Sequence, residues 1–177
     1  HCASVLKDFG RRTSAPVYGF GEDALMGAGL VLLTGLNKCY LNKHTLTGEL
    51  GQAFSTFGYK KVLKKNGIER TTLSEGNLKN RLDPSEDLKL EDDEWVQGIL
   101  SQRAEEITDS ILANRRQQMQ NKHQNIDEAR KKLLNSATIE PEIIADLGIV
   151  DGITTFEEVY YSKFSGKKIK RVMSNIL

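Results

Sequence analysis

The chain has 177 residues, and its 25 Lys and Arg residues nearly balance 24 Asp and Glu residues, for a formal net charge of +1. This balance argues against a dedicated nucleic-acid-binding protein, which usually carries a strong basic excess. Two cysteines cannot form a disulfide scaffold, and no uninterrupted apolar run reaches the length of a membrane span. The length suits one domain of ordinary size.

The first half of the chain predicts short helices and strands in alternation. In chain order these are the end of an amphipathic helix at residues 1–12, a strand at 16–20, a buried helix at 24–36, a strand at 39–41, a loop at 44–51, a short helix at 59–67 and a strand at 68–73. Asp23 is the predicted N-cap of the buried helix. In the short helix, Val62 and Leu63 are predicted to face inward and the lysines outward.

The second half is predicted to be mainly helical. A polar irregular stretch at 75–84 precedes a long helix at 92–120, and shorter helices follow at 126–134, 141–147 and 155–162. Short strands that alternate with helices indicate the α/β class. We assign residues 1–164 to one α/β domain and residues 165–177 to a basic tail. The predicted core consists of Val17, Phe20, Leu30, Val31, Leu33, Leu36, Val96, Ile107 and Ile111.

Neither a metal site nor a phosphate-binding loop is indicated by residue spacing. His1, His44 and His123 are far apart and lack cysteine or carboxylate partners at ligand intervals, so we interpret them as solvated side chains. The sequence GAG at 27–29 lacks the lysine of a P-loop and the third glycine of a dinucleotide fingerprint. Close helix packing is its simplest role, and we expect no cofactor.

Five short motifs form a signal that is more specific in combination than any one of them alone. They are PVYGF at 16–20, ALMGAG at 24–29, YLNKHTLTGELG at 40–51, EGNLKNRLDP at 75–84 and LGIVDGI at 147–153. In this order they resemble the signal peptide peptidase A and SohB family of serine–lysine proteases, over nearly the whole chain. The resemblance implies a sheet-and-helix α/β fold of the ClpP/crotonase type.

The resemblance also exposes a missing catalytic group. A serine–lysine protease needs a serine nucleophile, a lysine general base and backbone donors for the oxyanion. The family's base falls on Lys79 and its nucleophile on Met26, which has no hydroxyl and cannot form an acyl-enzyme. No serine lies between Ser14 and Ser55 to replace it, and Thr34 is about two helical turns beyond Met26.

Two further departures from the family pattern also indicate a degenerate catalytic site. The serine of the family's TGSIG motif is Glu49 here, and a carboxylate near Lys79 would hold the amine protonated. We predict an ion pair between Glu49 and Lys79, with exposure of both side chains to solvent as the open alternative. The family's glycine-rich oxyanion loop precedes the helix at 1–12, so we expect the N-terminal part of the domain to be missing from this sequence. The predicted vestigial site comprises Met26, Gly27, Ala28, Thr47, Gly48, Glu49 and Lys79.

The leading hypothesis is a catalytically inactive homologue of the protease that acts as a structural or assembly subunit of a larger complex. We expect homo- or hetero-oligomeric protein partners and no nucleic acid, with the polar stretch at 115–132 and the basic tail as candidate contact surfaces. The alternative is an active membrane-associated serine–lysine endopeptidase that degrades signal peptides or membrane proteins, and a crotonase-like acyl-CoA enzyme is a third hypothesis. No leader peptide is visible, and a membrane-associated or organellar location, for example mitochondrial, is an expectation only.

Overall fold

The structure is a computed structural model, and it describes residues 2–76, 79–135 and 138–163. Its helices are α1 (Cys2–Thr13), α2 (Ala28–Thr34), α3 (Lys60–Lys65), α4 (Leu90–Asn121), α5 (Ile126–Leu134), α6 (Pro141–Asp146) and α7 (Phe156–Lys163). Its strands are β1 (Tyr18–Gly21), β2 (Ala24–Met26), β3 (Lys38–Leu41), β4 (Leu46–Gly48), β5 (Thr138–Ile139) and β6 (Gly152–Ile153). The chain divides into a first unit, His1–Leu50 with Ile107–Leu177, and a second unit, Gly51–Glu106.

Two small sheets organise the first unit. The first has the order β1-β3-β6 and is parallel throughout, with Phe20 opposite Tyr40 and Tyr40 opposite Gly152. The second has the order β2-β4-β5, in which β2 and β4 are parallel and β4 and β5 are antiparallel. The mixed α/β class predicted from the sequence is therefore confirmed.

Glycines on β1 allow helix α2 to pack closely on the first sheet. A Cβ atom at Gly19 would lie 2.5 Å from the Cδ1 atoms of both Leu33 and Leu36. Gly19 and Gly21 are buried, whereas the alternate residues Tyr18 and Phe20 are only half-buried. Gly19 thus lies against Leu33 of α2 and Leu36 just after it, Gly21 lies against Leu25 and Leu41, and the aromatic rings occupy the opposite face.

The core of the first unit combines the β3 strand, α2 and the later helices. Its buried members are Leu30, Leu33, Cys39, Leu41, Leu50, Ile111, Leu112, Met119, Ala129, Leu133, Ile139, Ile144, Ala145, Leu147, Ile149 and Val150. Of the predicted core, Leu30, Leu33 and Ile111 are buried, and Val31, Leu36 and Ile107 pack against the core while partly exposed. Val17, Phe20 and Val96 are only half-buried and lie outside this cluster.

Most predicted helices are confirmed with small shifts of their ends. The long helix α4 begins two residues before its predicted start, and α1, α5, α6 and α7 occupy the predicted segments. The last helix is followed by the predicted basic tail, which lies outside the described residues. The assignment of residues 1–164 to one domain stays a prediction.

The helix predicted at 24–36 is wrong over its first turn. Residues Ala24–Met26 form strand β2, and α2 begins only at Ala28. Gly27 has φ 52° and ψ −120°, a backbone conformation that interrupts any helix passing through it. Asp23 is therefore not the N-cap, since Gly27 occupies that position.

Three other local predictions also fail. No strand forms at 68–73, where the amide of Ile68 instead bonds to the carbonyl of Leu63 at 3.0 Å and so closes the end of α3. The predicted loop at 44–51 contains β4, because it pairs with β2. Val62 is exposed rather than inward-facing, with 56% of its surface accessible, while Leu63 is half-buried.

Candidate functional site

Six of the seven residues predicted to form the vestigial site, all but Lys79, lie where β2 meets α2 and β4. Met26 is the last residue of β2, and in the parallel register it lies opposite Gly48 of β4. Gly27 follows and Ala28 begins α2. We call the set Met26, Gly27, Ala28, Thr47, Gly48 and Glu49 the strand–helix junction.

A backbone hydrogen bond closes the junction. The amide of Gly27 donates to the carbonyl of Gly48 at 3.0 Å, which extends the β2–β4 ladder by one residue. A Cβ atom at Gly27 would lie 3.6 Å from the carbonyl oxygen of Glu49, which is ordinary contact. The left-handed φ of 52°, rather than lack of space, is therefore what favours glycine at this position.

The polar side chains of the junction differ in their exposure. Glu49 is exposed and has φ 47°, in the left-handed region that few non-glycine residues adopt. Thr47 is fully buried, and within the described residues its hydroxyl has no hydrogen-bond partner. Met26 is half-buried. The junction thus holds one accessible carboxylate and one buried hydroxyl, but no accessible hydroxyl or thiol of its own.

Two threonine hydroxyls in the described part of the first unit do not take over the position of Met26. Thr34 is buried at the end of α2, where its hydroxyl donates to the carbonyl of Val31 at 3.0 Å. Thr45 is also buried, and its hydroxyl contacts the carbonyl oxygens of Gly21 at 2.8 Å and Glu22 at 2.9 Å. Both hydroxyls are therefore engaged with backbone carbonyl oxygens.

Lys79 belongs to the second unit, whereas the strand–helix junction belongs to the first. Its side chain is exposed, and its amide donates to the carbonyl of Gly76 at 3.2 Å within a turn. The role of Lys79 as a general base and its ion pair with Glu49 stay predictions.

Sequence reasoning missed a buried charge network centred on Asp151. The guanidinium of Arg115 is fully buried and donates from Nη2 to Asp151 Oδ2 at 2.9 Å. Lys38 Nζ donates to Asp151 Oδ1 at 2.9 Å, and the amide of Cys39 donates to Oδ2 at 2.9 Å. The amide of Asp151 in turn donates to the carbonyl of Cys39 at 2.8 Å. One carboxylate therefore fixes β3, α4 and the segment before β6 together.

Burial and hydrogen bonding shift the pKa values of the groups in this network. Burial alone would raise the pKa of Asp151, but the Cys39 amide, the Lys38 ammonium and the Arg115 guanidinium together hold that pKa below its ordinary value. The pKa of Lys38 is raised by its hydrogen bond to Asp151. Burial raises the pKa of the Cys39 thiol to about 12. The thiol is therefore protonated and unreactive near neutral pH.

The predicted contact surface at 115–132 needs correction at its start. Arg115 begins the stretch predicted as a contact surface, but its side chain is 0% exposed. The sequence hints at the Asp151 contact only through the DG pair at 151–152, which indicates a turn but does not predict an ion pair with Arg115.

Within residues 2–76, 79–135 and 138–163, no group of three or more His, Cys, Asp or Glu side chains is placed to hold a metal ion. None of the helices in these ranges combines the length and apolar character needed to cross a bilayer.

Two small sheets flanked by helices make this a mixed α/β protein, and the strand–helix junction at the carboxyl end of β2 is its candidate site. The chain belongs to peptidase family S49, whose sequence model matches residues 10–170. The resemblance to the signal peptide peptidase A family noted from the five motifs is thereby confirmed.

Individual relatives are distant and longer than this chain. A protein from Enterococcus faecium named as a signal peptide peptidase SppA is 22% identical over 170 residues, which are 94% of this chain and 47% of that protein. A Brucella abortus protein named as the Na(+)/H(+) antiporter NhaA is 24% identical over 165 residues, which are 93% of this chain and 21% of that protein. The chain thus spans about half or less of the length of these relatives.

Proposed function

We propose that this chain is a catalytically inactive homologue of the S49 peptidases that serves as a structural or assembly subunit of a larger complex. The observation that carries the proposal is Met26 at the end of β2, where the family resemblance expects the serine nucleophile. A thioether has no proton to give up and cannot form an acyl-enzyme.

The hydrogen bonding of Gly27 supports the same conclusion. In acyl transfer, the backbone amide that follows the nucleophile commonly stabilises the oxyanion. Here the amide of Gly27 is already bonded to the carbonyl of Gly48 at 3.0 Å. That donor is not directed to a substrate while the β2–β4 ladder is intact.

The proposal also covers the topology of the fold, one residue of the site and the partners. The proposed topology is of the ClpP/crotonase type, which the β1–α2–β3 crossover between parallel strands supports. Lys79 is the vestigial base and is paired with Glu49. Protein partners and association with a membrane belong to the proposal as well.

Activity-based labelling tests the proposal directly. The full chain is incubated with a fluorophosphonate probe beside an active serine protease, and Met26→Ala serves as the matched control for Met26→Ser. We expect no labelling of any of the three forms of this chain. Labelling of Met26→Ser alone would show that the Gly27 amide is available after all, and labelling of the wild-type chain would overturn the proposal.

The second candidate is an active membrane-associated serine–lysine endopeptidase, which the lysine at the family's base position favours. It requires a nucleophile outside the strand–helix junction. This candidate predicts wild-type labelling that disappears in Lys79→Ala and cleavage of unfolded peptide that disappears with it. If both are absent in the wild-type chain, this candidate is excluded.

A further inference from the structure

Asn66 and Gly67 form an exposed pair at the end of α3, and Asn66 is the only asparagine of the sequence that precedes a glycine. The nitrogen of the residue after an asparagine can attack the carbon of the side-chain amide, and a side chain on that residue hinders the attack. Glycine removes this hindrance and gives the backbone the freedom that ring closure needs. A Cβ atom at Gly67 would meet nothing within 4 Å, so the surroundings leave the pair open as well.

The charges around the pair favour this attack. The Gly67 nitrogen becomes nucleophilic only when it loses its proton, and nearby cations stabilise the anion that results. Lys60 and Arg70 are paired with carboxylates, but Lys64 and Lys65, which directly precede the pair, are exposed and have no ion pair within the described residues. A cleft of about 330 Å³ borders Gly67 and admits water, and its charged lining residues are Lys60, Lys64, Glu69, Arg70 and Glu86.

The closed end of α3 holds the pair in an unreactive state. Gly67 has φ +64°, and its amide donates to a carbonyl of the last helical turn at 3.2 Å. The Ile68 amide donates to the carbonyl of Leu63 at 3.0 Å, which completes a Schellman motif. Asn66 Nδ2 donates to the carbonyl of Val62 at 2.8 Å. These bonds must open before the Gly67 nitrogen can reach the side chain of Asn66.

Helix α3 is too short and too exposed to keep its end permanently closed. It has six residues, none of them buried, and the side chain of its N-cap Tyr59 makes no capping hydrogen bond. Helices of this length are marginal in water, and exposed helix ends open at little cost in free energy. The open state is therefore visited repeatedly, and the reaction can proceed from it.

We propose that Asn66 is a site of spontaneous covalent modification through this open state. The Gly67 nitrogen gives its proton to hydroxide and bonds to Cγ of Asn66, and the Cγ–Nδ2 bond breaks as Nδ2 takes a proton from water and leaves as ammonia. Water then opens the cyclic imide on one of two sides. Breaking the new bond between Cγ and nitrogen yields aspartate, and breaking the original peptide bond yields isoaspartate. Each conversion consumes one water and releases one ammonia, with no change in oxidation state.

Both products weaken the end of α3. An aspartate side chain has no N–H to donate to the carbonyl of Val62, and its charge lies at a helix C-terminus, where the macrodipole disfavours anions. Isoaspartate adds a methylene to the main chain, so the amides of Gly67 and Ile68 no longer meet both of their carbonyls. The formal net charge of the chain falls from +1 to zero. Modification therefore holds the end of α3 open and makes the second unit more acidic.

The pair Asp151–Gly152 shows why a following glycine alone does not suffice. Both carboxylate oxygens of Asp151 accept hydrogen bonds, from Lys38, Cys39 and Arg115. Gly152 belongs to strand β6 of the first sheet. Ring closure there would break the buried network and the strand pairing together, so we expect Asp151 to stay unmodified in the folded chain.

Ageing of the full chain in mildly alkaline buffer tests the proposal. The matched control is Asn66→Gln, which keeps a side-chain amide at the end of α3 but would have to close a larger ring. Asn80 is the internal control, since it is exposed in the same unit and precedes Arg81. Peptide mass spectrometry, with fragmentation that separates aspartate from isoaspartate, follows each site over time. Heteronuclear NMR follows the amide of Ile68.

We expect Asn66 to convert at least about tenfold faster than Asn80, a difference of ~1.4 kcal/mol in the barrier. Aspartate and isoaspartate should both appear in place of Asn66. The Ile68 amide signal should move in the aged wild-type chain and stay in place in aged Asn66→Gln. Equal rates at Asn66 and Asn80, aspartate without isoaspartate, or an Ile68 signal that does not move would each overturn the inference. None of these outcomes depends on whether the chain has peptidase activity.

Discussion

Removing the charge of Asp151 should strongly destabilise the first unit. The variant Asp151→Asn keeps the size of the side chain but leaves the Arg115 guanidinium, which is 0% exposed, without its counter-charge. Breaking one partner of a buried ion pair costs about 3–5 kcal/mol, because the remaining charge stays buried and uncompensated. Against a typical domain stability of about 5–15 kcal/mol, this is a large fraction of the total.

The control is Lys38→Ala, which removes the other charged partner of the same carboxylate. The Lys38 side chain is 49% exposed and hydrates readily once the pair is lost. We therefore expect a change of at most about 1 kcal/mol. Urea unfolding followed by circular dichroism gives the free energy of unfolding of each variant. A loss below about 1 kcal/mol in Asp151→Asn, or equal losses in the two variants, would refute the reasoning.

The same carboxylate predicts a pH dependence with a definite sign. The pKa of Asp151 is held below its ordinary value in the folded chain, despite burial, by the amide of Cys39 and the charges of Lys38 and Arg115. A depressed folded pKa gives stability that is present above the unfolded value of about 3.9 and is lost as the pH falls through the folded pKa. The free energy of unfolding should therefore drop below about pH 4 in the wild-type chain. This part of the acid dependence should be absent in Asp151→Asn.

Two further predictions concern a thiol and a glycine. Cys2 is exposed and should react with Ellman's reagent in the native chain, whereas burial and a pKa of about 12 should keep Cys39 unreactive until urea is added. Two equally fast thiols would contradict the buried position of Cys39. Gly148→Ala should lower the free energy of unfolding by more than about 2 kcal/mol, because φ is +78° and the new Cβ would lie 3.1 Å from the backbone of Met119. Gly67→Ala has a similar φ of +64° but open space, so thermal unfolding should show the smaller change there.

The helical part of the fold could be predicted because its signals are local. Apolar residues at spacings of three or four defined α4, and Pro141 marked the first turn of α6. Strand β2 could not be found this way, since its three residues, Ala24–Met26, show no alternation and also suit a helix. What makes them a strand is the pairing with β4, some twenty residues further along the chain.

Part of the candidate site could also be predicted, because short motifs mark it in the sequence. The motifs at 24–29 and 40–51 contain the ends of β2 and β4, and in this parallel pair Met26 lies opposite Gly48. The pairing of Arg115 with Asp151 was not predictable, since a lone arginine in a polar helix has the same appearance whether it is solvated or buried. Its burial depends on a carboxylate that arrives from a distant turn.

The position of Asp151 also shows that residues distant from Met26 in the sequence hold this fold together. The motif at 147–153 resembles the protease family, yet in this chain it performs a structural task, since Asp151 fixes β3 and α4 while Gly148 allows close contact with Met119. At the strand–helix junction Thr47 and Gly48 are buried, but Met26, at the predicted nucleophile position, is only half-buried, and Ala28 and Glu49 are exposed. Stability and the catalytic position therefore depend on different residues. A substitution at Met26 should therefore leave the fold intact.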